Sequence, residues 1–76
     1  MGTESASHKA AITKNIDQAL DKQNLTRYAL VEKTGIPKST LYRNLAKPEQ
    51  FKFVELGQIA EALGMPIVEL IKDEAA

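Results

Sequence analysis

Apolar residues recur along this chain at three- and four-residue steps, which predicts helices; no segment alternates as a half-buried strand would. Ala11, Ile12, Ile16, Ala19 and Leu20 form the first stripe. They predict a helix from Ser7 or His8 to about Gln23-Asn24, with Lys9, Asn15, Asp17 and Lys22 largely on its other side. Thr26 has the hydroxyl of a helix N-cap. A second helix, Arg27 to Lys33, then packs through Ala29, Leu30 and Val31. Gly35 ends it, because glycine enters the left-handed conformation at little steric cost, and Ile36 plugs the corner. Pro37 suits the first position of a third helix, where its missing N–H would have had no partner. That helix runs to Leu45 or Ala46, with Leu41 and Leu45 inward and Lys38, Ser39, Tyr42 and Arg43 away from them. After a loop at residues 47–50, a fourth helix carries Phe53, Leu56, Ile59, Ala60 and Leu63 on one face and is capped by Gly64. Met65-Pro66 opens a last helix through Ile67, Leu70 and Ile71, and residues 73–76 are expected to fray. The predicted fold class is all-α: a compact bundle of about five short helices.

At 76 residues the chain makes one domain, near the lower size limit for folding on a single core. Met1 to Ser7 reads as a flexible leader and residues 8–76 as the folded domain. There is no cysteine and a single histidine, His8, so neither a disulfide framework nor a zinc site can be assembled. No apolar run approaches the roughly 20 residues of a membrane helix. The pattern implies no cofactor, no metal and no small-molecule ligand, and the expected location is cytoplasmic, with the nucleoid.

Net charge is zero, with ten basic and ten acidic residues. The distribution is uneven. From Lys22 to Lys52 there are seven bases (Lys22, Arg27, Lys33, Lys38, Arg43, Lys47, Lys52) against two acids (Glu32, Glu49), a local balance of +5. The remaining acids lie in the flanks, and the local field rather than the total decides where a polyanion lands.

This basic segment contains Leu25 to Leu45, LTRYALVEKTGIPKSTLYRNL, two short helices about a glycine turn. The pattern fits an ordinary helical hairpin and equally a helix-turn-helix, whose second helix lies in a DNA major groove. The exposed face favours the second. From Lys38 to Ala46 there is no acid to repel phosphate. Arg43 can donate two hydrogen bonds to guanine O6 and N7. Lys38 can reach guanine acceptors or a phosphate, Tyr42 a thymine methyl or a phosphate. Ser39 and Thr40 can donate at short range, and Asn44 can donate to a phosphate or help to cap the helix end.

Leu30, Val31, Gly35, Ile36 and Leu41, followed by IAEALG at Ile59 to Gly64, resemble the lambda-repressor/Cro-type helix-turn-helix family, often called the XRE family, as in phage immunity repressors. The likeness spans about Ile12 to Ile71. It implies a lambda-repressor-like bundle that binds double-stranded operator DNA. The family's base-reading positions fall on Lys38, Ser39, Tyr42 and Arg43. Its phosphate contacts fall on Arg27, Thr40 and Asn44 and on the loop with Lys47 and Lys52. Three positions depart from the family's pattern: Pro37 where a Ser/Thr cap is usual, Thr34 where an aliphatic is usual, and Ala46-Lys47-Pro48 where a glycine is common.

The expected function is therefore sequence-specific DNA binding by a bacterial or phage transcription regulator, acting as a repressor by covering its operator. The expected assembly is a homodimer that pairs on DNA and associates weakly in solution. The chain is either the DNA-binding part of a longer repressor or a small Cro-like protein complete in itself. The alternative is an antitoxin-like protein-interaction module on the same scaffold, with Phe51, Val54 and Val68 as its exposed apolar candidates. An enzyme is not expected, since no nucleophile is paired with a base; Glu55, Glu61 and Glu69 read as a solvated acidic face.

Overall fold

Helix α1 spans Thr3–Lys22. Its stripe is buried as the periodicity requires: Ile16 is fully covered, Ala11 and Leu20 nearly so, and Ile12 and Ala19 pack at the core's edge. The computed structural model describes the backbone of residues 3–72 and the side chains of residues 11–72. Within that range α1 begins four residues before Ser7, and the ends of the chain expected to be flexible or frayed otherwise lie outside it. At its C-terminal end Asn24 takes a left-handed conformation (φ 58°), and the Leu25 N–H donates to the Leu20 carbonyl at 2.8 Å. Asparagine, after glycine, tolerates this reversal best.

α2 spans Arg27–Thr34, α3 Lys38–Ala46, α4 Phe53–Leu63 and α5 Ile67–Ile71, with one 3-10 turn at Pro48–Gln50. No strand forms among the described residues. The Thr26 hydroxyl accepts from the Ala29 N–H at 3.1 Å, as the cap chemistry predicted. Gly35 (φ 78°) closes α2 by donating to the Val31 carbonyl, and Gly64 (φ 68°) closes α4 in the same way. Pro37 sits one residue before α3 rather than on its first turn, and its carbonyl accepts from the Leu41 N–H at 2.9 Å. Thr34 has a local explanation. Its hydroxyl donates to the Leu30 carbonyl (2.7 Å) and accepts from the Ile36 N–H (3.1 Å), tying the turn together where an aliphatic side chain could not.

One core runs through all five helices: Ile16 and Leu20 of α1, Leu30 of α2, Leu41 and Leu45 of α3, Ile59, Ala60 and Leu63 of α4, and Leu70 of α5, with Ile36 in the turn. α1 lies against α5, α2 against α4, and α4 against α5. Two expectations need correcting. Phe53 is on the surface, 75% exposed, because it stands at the first position of α4, before the helix has turned into the core. Asn15 is buried rather than outward: its amide donates at 2.8 Å to the carbonyls of both Leu70 and Lys72.

That bond belongs to a set. Thr13 Oγ1 donates to the Leu45 carbonyl near the end of α3, and Gln23 Nε2 to the Leu63 carbonyl at the end of α4, each at 2.8 Å. The last carbonyls of a helix have no partner within it. Thr13 and Asn15 of α1, with Gln23 just past its end, thus satisfy the C-terminal ends of three other helices, which fixes the long helix as the spine of the domain.

Candidate nucleic-acid interface

The Gly35 turn sets α3 at the surface, held from below by Leu41 and Leu45. This leaves Lys38, Ser39 and Arg43 exposed on its outer face. Tyr42 is half-buried: its ring packs against the core edge. Thr40 is also half-buried, whereas Lys47 and Lys52, in the segment joining α3 to α4, are exposed. Among the described residues no carboxylate lies within ion-pair distance of Lys38, Arg43, Lys47 or Lys52. α3 thus offers a polar, cationic ridge, and an α-helix of this kind fits a groove about 12 Å wide.

Arg27 lies at the first position of α2 but is not a bare cation. Its Nη2 donates to Asp17 Oδ2 at 2.7 Å and its Nε to Asp17 Oδ1 at 3.1 Å, a fork-on-carboxylate pair across α1 and α2. The hydrogen bonds that Arg27 donates to Asp17 hold the guanidinium pKa above its ordinary value, against a smaller opposing effect of burial. The pair sets the Asp17 negative charge against the Arg27 positive one and fixes the orientation of the guanidinium.

Asn44, expected to reach a phosphate, lies beneath α3. Its side chain is 1% exposed, Nδ2 donates to Glu55 Oε1 at 3.0 Å, and Oδ1 accepts from Arg43 Nε at 3.4 Å. Glu55 is correspondingly not part of a solvated acidic face. The same Oε1 accepts from the Lys52 N–H at 2.9 Å, which caps the first turn of α4. One carboxylate therefore ties the inner edge of α3 to the start of α4. Sequence periodicity gave no sign of this, because Asn44 and Glu55 each look like surface residues in their own helices. Of the remaining acids, Glu69 pairs with Lys72 at 3.0 Å on α5, and Glu61 is exposed.

Tyr28 was not singled out by sequence. It occupies the first turn of α2 and is half-exposed. The Lys38 ammonium lies over its ring at 5.8 Å from the centroid, and over the Tyr42 ring at 5.7 Å. Both are within cation–π range. The available signal was the spacing of two tyrosines and a lysine around the turn, which only the fold brings together.

A short polar helix pair about a left-handed glycine, backed by one core and edged with unpaired cations, matches a known family over residues 15–76: the chain belongs to the Cro/C1-type helix-turn-helix DNA-binding domains. The family is a DNA-binding one without enzymatic activity. No curated protein and no solved structure matches the chain. No helix among the described residues is long and apolar enough to cross a membrane.

Proposed function

We propose that this domain reads a specific operator sequence through α3 in the major groove and acts as a bacterial or phage transcription repressor, covering the operator and blocking polymerase in the cytoplasm. The observation that carries the reading is the outer face of α3, where Lys38, Ser39 and Arg43 stand exposed without a carboxylate partner. Lys38, Ser39, Tyr42 and Arg43 read base edges. Lys47, Lys52, Thr40 and the Asp17-oriented Arg27 hold the phosphates and set the register. Asn44 positions α3 from beneath instead of touching DNA. Two copies pair on adjacent half-sites about one helical turn apart; the exposed Val68 and Ile71 of α5 are the apolar residues available for that pairing.

Selection from a randomised duplex pool at several salt concentrations tests the reading. Enrichment of a motif with a repeated half-site is the expected result, with affinity falling steeply in salt. Arg43→Ala should cost about 1–3 kcal/mol and flatten preference at one or two base pairs; uniform weakening over all sequences would make Arg43 a phosphate contact. A second reading, a protein-interaction module, is favoured by the exposure of Phe53 and Val54 at the start of α4. Absence of DNA binding at low salt would bring it forward.

A further inference from the structure

We infer that Tyr28 is a specificity-determining residue that positions Lys38 for a guanine rather than for a phosphate. The inference rests on the DNA-reading role proposed for α3 and deepens it. Lysine is a point charge on a flexible four-carbon stem, and ordering that stem costs rotamer entropy. A phosphate contact tolerates the flexibility, since a sphere of charge attracts an anion from any direction. Reading guanine N7 and O6 does not tolerate it, because the donors must meet two acceptors fixed in the groove.

The Lys38 ammonium lies over two aromatic faces supplied by different helices, Tyr28 of α2 at 5.8 Å and Tyr42 of α3 at 5.7 Å. Both contacts favour the same ammonium position, so the stem is held before DNA arrives. A cation over a ring keeps its remaining N–H donors free, whereas an ion pair would occupy them. A carboxylate in place of either ring would also repel phosphate. The tyrosines thus restrain the lysine without neutralising it, and the side chain that α2 contributes to this arrangement is Tyr28.

The test compares wild type with Tyr28→Ala, Tyr28→Leu and Tyr28→Phe, each also in a Lys38→Met background, by selection from the randomised duplex pool and by titration of the best duplex over a salt series. Tyr28→Ala and Tyr28→Leu should both weaken the best duplex about two- to fivefold, the equivalent of one exposed cation–π contact. The loss should appear as flattened preference at the same G·C pair that Lys38→Met flattens. The salt slope should not change, since tyrosine releases no counterions. Tyr28→Phe keeps the ring and should behave as wild type. In the Lys38→Met background the Tyr28 substitutions should add nothing. Equal weakening across all sequences, an undiminished loss without Lys38, or Tyr28→Phe failing like Tyr28→Ala would each overturn the inference. Tyr28→Leu retains apolar bulk, so a loss seen in Tyr28→Ala alone would be a packing effect and would overturn it too. If wild type enriches no motif, the operator-reading proposal itself fails and this inference falls with it; a motif that survives every Tyr28 change overturns the inference alone.

Discussion

Asn44 shows how little sequence says about the surroundings of a single residue. In the order of α3 it sits beside Arg43, on a helix whose outer face is basic, and short amides commonly bond to phosphates there. In the fold it is 1% exposed and donates to Glu55. Removing the Asn44 amide takes one partner from the half-buried Glu55 carboxylate, which keeps the Lys52 N–H, and leaves a gap beneath α3. Asn44→Ala should therefore lower stability by about 1–3 kcal/mol in urea denaturation. Glu55→Gln should cost less than Glu55→Ala, since the amide oxygen still accepts from Asn44 and from the Lys52 N–H. A change within about 0.5 kcal/mol for Asn44→Ala is the behaviour of a surface residue; it would return Asn44 to the DNA-facing set.

Among the elements, those made by apolar spacing and glycine were legible in the sequence. Leu30, Gly35, Ile36 and Leu41 need only local geometry to be recognised: a buried leucine, a left-handed reversal, a plug, a second buried leucine. The bonds between elements were not legible. Asn15, Thr13 and Gln23 serve the ends of three other helices, and nothing in a 3.6-residue period distinguishes a polar residue facing water from one facing a carbonyl 32 to 57 positions away. The candidate site divides in the same way. The outward positions of α3 follow from where Leu41 and Leu45 point, while Tyr28 and the Asp17–Arg27 pair depend on packing between helices. The Gly35 turn provides a clean test of the local part. A Cβ at residue 35 would meet no atom within 4 Å, so a substitution there bears only the backbone cost of φ 78°. Gly35→Ala should cost about 1–2 kcal/mol in thermal or urea unfolding, and Gly35→Asn less, because asparagine tolerates the left-handed region. Equal losses for the two would mean that the turn is limited by space rather than by conformation.

For the whole molecule, a net charge of zero conceals a directed field. Lys47 and Lys52 have no carboxylate partner among the described residues, whereas Arg27 shares its charge with Asp17. These arrangements should separate in a salt series. If each exposed lysine meets one phosphate, Lys47→Ala and Lys52→Ala should each make the slope of log K against log salt shallower by about 0.9. Arg27→Ala removes a cation and also uncovers Asp17, an anion at the edge of the interface. Its loss of affinity should exceed that of either lysine variant at low salt. Adding Asp17→Asn to Arg27→Ala restores the net charge of wild type without restoring the guanidinium. Recovery of most of the affinity in the double variant would show that Arg27 chiefly screens Asp17. A loss that persists in the double variant is the outcome we expect, because the two hydrogen bonds at 2.7 and 3.1 Å orient the guanidinium and leave Nη1 outside the pair, available to a phosphate.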